Sequence, residues 1–190
     1  MSRIFWVRHG PTHAKSMVGW SNLPADLSDT AQLARLDAHL PKDALIVSSD
    51  LKRATATADA ITGHRTRLPH DRDLREIHFG AWELKAFDTV PNPDHLRAFW
   101  DNPGDLCAPE GESWNQITAR VNRAVSRLRM AHPGRDIIAV AHFGAILTQV
   151  QQALGVTAYE AFAHRIENLS VTELHWQDDG WRAATINHLP

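Results

Sequence analysis

Three apolar runs in this chain end abruptly on residues that can do chemistry. Ile4-Phe5-Trp6-Val7 stops at Arg8-His9-Gly10-Pro11-Thr12. Ala44-Leu45-Ile46-Val47 breaks into Ser48-Ser49-Asp50 and a segment whose first turn carries Lys52 and Arg53. Ile137-Ile138-Ala139-Val140-Ala141 stops at His142 and passes through Phe143-Gly144 into another apolar stretch. An imidazole can act as a nucleophile, and guanidinium groups present planar forks matched to phosphate oxygens. Together Arg8, His9, Arg53 and His142 point to phosphate chemistry.

Short apolar runs of this kind read as buried strands, and open α/β sheets hold ligands at the carboxyl ends of their strands. Placed parallel and adjacent, the three strands bring the four residues to one edge of one sheet and make that edge strongly cationic. Asp50 reads as the N-cap of a helix from Leu51 to about Ile61. Cations in a helix's first turn oppose its macrodipole at a cost of about 0.3–1 kcal/mol each, and a bound anion reverses the sign.

The remaining segments read as scaffold. Ser28 or Asp29 caps a helix to about Leu40, stopped by Pro41; Ala145 to Leu154 is a second. Glu112 to about Met130 carries Trp114, Ile117, Val121, Val125 and Leu128 at the spacing of a core-facing helix. Leu169 to Trp176 and Trp181 to Asn187 flank Asp178-Asp179-Gly180 as a hairpin. The Pro-rich stretch at about 90–110, with a short helix near Asp94 to Trp100, reads as a lid insertion over the sheet edge, where loops shape substrate pockets.

In order along the chain, Arg8-His9-Gly10-Pro11-Thr12, Ser49 to Thr57, Leu74-Arg75-Glu76-Ile77-His78-Phe79-Gly80-Ala81-Trp82-Glu83 and Val140-Ala141-His142-Phe143-Gly144 resemble the signatures of the histidine phosphatase superfamily. That family includes the phosphoglycerate mutases. The resemblance covers nearly the whole chain and implies an α/β fold: a three-layer α/β/α sandwich with a mostly parallel central sheet, phosphoglycerate mutase-like. It implies that His9 takes the phosphoryl group, that Arg8, Arg53 and His142 hold the phosphate oxygens, and that Glu76 protonates the leaving group. Thr12, Lys15, Phe143 and Glu83 are expected around the substrate. Glu83 competes with Glu76 for the acid's role, but the family's acid belongs to the Leu-x-Glu element, which selects Glu76. Its other reading is a solvated or structural carboxylate.

This chain departs from the family pattern in three places. Lys15 stands where asparagine is frequent, and is read either as a mobile point charge on the phosphate or as a solvated side chain. Phe143 replaces a common glycine and either narrows the pocket or packs beneath it. Leu84 replaces the glycine of a frequent Trp-Glu-Gly pattern.

Composition bounds the rest. A chain of 190 residues with 43% hydrophobic content can bury one full α/β core, and nothing in it reads as a linker, so residues 1–190 are expected to form a single domain. A net charge of -2 gives no broad basic field, which argues against nucleic acid or an anionic membrane as partner. The single cysteine, Cys107, fits a reducing cytoplasm, and Ser113 occupies the position where a cysteine-dependent phosphatase loop needs arginine. His9 and His13 have the spacing of a helical metal pair, but Gly10-Pro11 lies between them; no metal and no cofactor are expected. Asp71 and Asp73 do not follow a buried strand, as an aspartate nucleophile would.

The expected function is a metal-independent phosphatase acting on a small phosphorylated metabolite. The alternatives are a phosphoglycerate mutase and a non-catalytic phosphate-binding module; intact His9 and Glu76 argue against the module. A mutase has to shield its phosphohistidine with extra loops, for which this chain has little length to spare.

Overall fold

In the computed structural model, which describes residues 2–177 and 180–190, six strands form one sheet in the order β3-β2-β4-β1-β5-β6. The strands are β1 (Arg3–Arg8), β2 (Leu45–Ser48), β3 (Thr66–Arg67), β4 (Ile137–Ala141), β5 (Val171–Gln177) and β6 (Gly180–His188). The pairings β3-β2, β2-β4 and β4-β1 are parallel, whereas β5 and β6 attach antiparallel at the far side. The helices are α1 (Thr30–His39), α2 (Lys52–Ala60), α3 (Pro93–Asp101), α4 (Trp114–Ala131), α5 (Phe143–Leu154) and α6 (Ala158–Ala161). Two residues of the expected hairpin turn, Asp178 and Asp179, lie outside the described residues.

The period-2 alternation of strand side chains sorts the core into two layers. Phe5, Val7, Ile46, Ile138 and Val140 face Leu33 and Leu36 of α1 and Ala54 and Ala58 of α2. Ile4, Trp6, Val47, Ile137 and Ala139 face Ile117, Val121 and Val125 of α4 and Ile146 and Val150 of α5. The central strands are therefore apolar on both faces, as a sheet covered on both sides requires. Among the described residues no helix is long and apolar enough to cross a membrane.

The helix starts differ from the sequence reading in ways that matter for the site. Asp50 does not cap α2: its carboxylate takes a bidentate pair from Arg75 at 2.6 Å, and Leu51 holds the cap position without a side-chain bond. An ionised fork-to-fork pair outcompetes a single cap bond for the same carboxylate, and Asn22 serves α2 instead by accepting from Lys52 N at 2.7 Å. Helix α4 starts at Trp114 behind a Ser113–Gln116 capping box, which releases Glu112 for other bonds. Helix α5 starts at Phe143, so His142 itself is the N-cap residue.

The stretch at 90–110 is anchored. Leu96 and Phe99 of α3 are buried, and Phe99 meets Trp82 edge-on at 5.3 Å.

Candidate active site

The register of the parallel strands builds the site. Arg8 pairs with Ala141, and Ser48 with Val140, so the residues that follow them leave the sheet side by side. His9 N–H donates to the Ala141 carbonyl and Ser49 N–H to the Val140 carbonyl, both at 3.1 Å. The rings of His9 and His142 consequently lie 5.0 Å apart, both buried. The expectation that Arg8, His9, Arg53 and His142 gather at one sheet edge is what the geometry gives.

His9 is held in one tautomer. Its Nδ1 lies 2.6 Å from the Gly10 carbonyl, an acceptor only, so Nδ1 carries the proton and Nε2 the lone pair. Nε2 accepts from Arg53 Nε–H at 3.1 Å. The backbone is fixed as well: Asn168 Nδ2 donates to the His9 carbonyl at 2.7 Å, and Gly10 N–H donates to Thr57 Oγ1 at 3.0 Å. Burial, reinforced by the charges of Arg53 and Arg8, holds His9 well below the ordinary imidazole range and keeps it neutral.

Arg53 lies almost wholly buried in the first turn of α2. Its Nη1 donates to the Ser21 carbonyl at 2.8 Å and its Nη2 to the Gly19 carbonyl at 2.6 Å. Arg8 Nη1 donates to the Ile166 carbonyl at 2.6 Å, its guanidinium stands 5.5 Å from the Phe143 ring, and its Nε is buried without a partner among the described residues. Neither arginine forms a salt bridge with a carboxylate among the described residues, and burial lowers the pKa of both. A buried and a half-buried guanidinium, neither in ion-pair contact with a carboxylate among the described residues, favour an anion at this site.

His142 Nε2 lies 2.6 Å from Ser49 Oγ, while Nδ1 is buried without a partner among the described residues. Ser49 Oγ accepts from Leu51 N–H at 3.4 Å and has its own proton to give to Nε2, an arrangement in which His142 carries its proton on Nδ1. Burial, then the charge of Arg53, lowers the His142 pKa well below its usual value.

Glu76 is buried, and its carboxylate accepts from Gly144 N–H at 3.0 and 3.1 Å and from Ile77 N–H at 2.9 Å. Gly144 is in the first turn of α5, where the macrodipole favours negative charge. Desolvation nevertheless dominates and raises the Glu76 pKa, against those bonds and the charges of Arg53 and Arg8. A Cβ on Gly144 would collide with Glu76 Oε1, so only glycine admits this contact. Next to the carboxyl, Phe79, Trp100, Trp114, Phe143 and Phe162 line an apolar recess.

Glu83 faces the scaffold. Its carboxylate accepts from the N–H groups of Gly19 (3.1 Å), Trp20 (2.7 Å), Ser21 (3.2 Å) and Phe79 (3.2 Å) and from Ser21 Oγ (2.6 Å). These donors belong largely to the loop whose carbonyls hold Arg53. Lys15 is exposed, Thr12 is half-buried, and Phe143 borders both Arg8 and the apolar recess. His13 is exposed, bonded to Asp26 at 2.7 Å, and takes no part in a pair with His9.

Sequence reading missed Ser49, Asn168, Thr57, Gly144 and the Gly19–Ser21 loop as parts of the site. Ser49, Thr57 and Gly144 fell within recognised motifs, and none of them bears a group that announces a role.

A neutral imidazole with its Nε2 lone pair presented, two guanidiniums without ion-pair partners among the described residues and a buried carboxyl gather at the sheet edge of an α/β protein in a site suited to an anion. The chain belongs to the histidine phosphatase superfamily (branch 1), whose family model matches residues 4–189. It is 27% identical over 192 residues to a Serratia proteamaculans protein named "Probable phosphoglycerate mutase GpmB", covering 97% of this chain and 89% of that one. A mycobacterial glucosyl-3-phosphoglycerate phosphatase superposes with a TM-score of 0.83 at 27% identity, covering 99% of each chain. Bacillus stearothermophilus YhfR shares the fold with a TM-score of 0.91 at 24% identity, over 100% of this chain and 98% of that one. The phosphoglycerate mutase-like sandwich expected from the sequence is thus the observed fold.

Proposed function

We propose that this protein is a metal-independent phosphatase that hydrolyses a small phosphomonoester through a phosphohistidine on His9. The observation that carries the reading is the Nδ1–H bond to the Gly10 carbonyl, which leaves the Nε2 lone pair as the nucleophile. Nε2 attacks phosphorus and exchanges its bond with Arg53 Nε–H for the new P–N bond. The P–O bond to the alcohol breaks, and its electron pair leaves with the alcohol oxygen, which takes a proton from Glu76. Arg8, Arg53 and Nδ1–H of His142 hold the phosphoryl oxygens through the transfer, which depends mainly on positioning and charge. Water then attacks phosphorus and gives its proton to the Glu76 carboxylate, the P–N pair returns to Nε2, and inorganic phosphate leaves.

The raised pKa of Glu76 supports the acid's role, because its carboxyl keeps a proton to higher pH than a free carboxyl does. The single Cys107 is consistent with a cytosolic enzyme. A second reading, phosphoglycerate mutase, is favoured by the naming of the 27%-identical relative. A panel of phosphorylated metabolites, assayed with and without chelator and alongside interconversion of 2- and 3-phosphoglycerate, separates the two. Phosphate release unaffected by chelator supports the phosphatase; isomerisation far exceeding phosphate release promotes the mutase.

A further inference from the structure

Glu76 lies outside any regular element, between the 3-10 turns Arg72–Leu74 and Gly80–Trp82. The backbone around it is therefore placed by bonds from elsewhere, and three of them come from one buried side chain of α4. Arg120 donates Nη1 to the carbonyls of Asp73 (3.0 Å) and Arg75 (2.7 Å), and Nη2 to the carbonyl of Glu76 (2.7 Å). Nε and Nη2 also form a bidentate pair with Glu112, both at 2.7 Å. That uses all five guanidinium N–H groups. Glu112 grips the other flank of the acid: its Oε2 accepts from His78 N–H at 2.9 Å, and its own N–H donates to the His78 carbonyl at 2.8 Å. Trp20 Nε1–H adds a second bond to the Glu76 carbonyl at 2.7 Å.

We propose that Arg120, oriented by Glu112, is the positioning residue for the general acid. Arg120 fixes the backbone up to and including Glu76 and Glu112 the flank beyond it, so that the carboxyl stays on Gly144 N–H and beside the leaving group. The inference rests on the reading of Glu76 as the acid. Arg120 bonds only carbonyls of this segment and leaves the carboxyl alone, so it acts through geometry. A lysine keeps the charge but has no fork to bridge three carbonyls and a carboxylate at once.

The test compares an alkyl phosphate, whose leaving alcohol needs a proton, with p-nitrophenyl phosphate, whose leaving group does not. Arg120→Lys should lose about 10–10²-fold in kcat on the alkyl phosphate, as displaced catalytic groups do, and only about threefold or less on p-nitrophenyl phosphate. Competitive inhibition by inorganic phosphate should be unchanged. On a Glu76→Gln background the same substitution should change the alkyl-phosphate rate by less than about twofold, because the two residues act as one unit. Glu112→Gln, which keeps the side-chain volume, should show the same substrate selectivity in weaker form and serves if Arg120→Lys does not fold. Equal losses on both substrates, or a full additional loss in the double variant, overturn the proposal. If Glu76→Gln alone shows no dependence on the leaving group, the acid assignment itself falls, and this inference with it.

Discussion

Arg53 Nε–H meets His9 Nε2 at 3.1 Å, while Nδ1 of the same ring is held by the Gly10 carbonyl at 2.6 Å. A cation from the first turn of α2 thus faces the lone pair of an imidazole that follows β1, and both are buried. The same contact adds to the burial that keeps the nucleophile neutral and supplies attraction for the phosphoryl group.

Catalysis through this imidazole makes His9→Ala inactive while leaving the fold intact. Rapid acid quench of the native enzyme during turnover with labelled substrate should capture an acid-labile, alkali-stable phosphoenzyme, absent from the variant. Turnover at the native rate by His9→Ala would remove the mechanism.

Glu76→Gln should lower kcat on an alkyl phosphate by about 10²–10⁴-fold and affect p-nitrophenyl phosphate far less. The pH profile carries the same assignment. With the Glu76 pKa raised, the alkyl-phosphate rate of the native enzyme should fall only as pH climbs past the ordinary carboxyl range. The Glu76→Gln rate should lack that alkaline fall.

Gly144→Ala inserts a methyl group where the Glu76 carboxylate lies against α5. The carboxyl has to move, at a cost of about 1–3 kcal/mol in stability and about 10²-fold in alkyl-phosphate turnover. Thermal denaturation and the two-substrate comparison measure these. Unchanged kinetics would show that the Gly144 contact does not set the acid's position.

Glu83→Ala should behave differently from Glu76→Gln, because Glu83 holds the loop that holds Arg53. Phosphate affinity should weaken alike for alkyl and aryl substrates, with KM and the inhibition constant for inorganic phosphate rising together. A loss confined to one class of alcohol would move Glu83 from the scaffold to the substrate.

His9 and His142 are neutral in the folded protein and held below their ordinary value of 6.5. The unfolded chain therefore takes up protons first as pH falls, and stability declines from about 6.5 downward through the folded pKa values, by at most about 1.4 kcal/mol per pH unit for each ring. His142→Asn should flatten the fall in Tm between pH 7 and pH 5. An unchanged slope would show that His142 does not contribute.

The sequence by itself determined the three apolar strands, the ends on which Arg8, His9 and His142 sit, and the helix that presents Arg53, while their parallel pairing came from the fold. Those features are local: apolar runs set strands, and the residue after a strand must leave at its carboxyl end. The ordered motifs also singled out Glu76. Only the tertiary structure decided which nitrogen of His9 is free, because that depends on a carbonyl and a guanidinium meeting one ring from opposite sides. It also turned Asp50 from a cap into the partner of Arg75 and turned Glu83 toward the Gly19–Ser21 loop. Each of those carboxylates has several donors within reach of its type, and the choice among them is made by packing between segments far apart in the chain. Arg120 and Glu112 were illegible for the same reason: they read as two residues of one core-facing helix until the fold lays residues 73–78 across them.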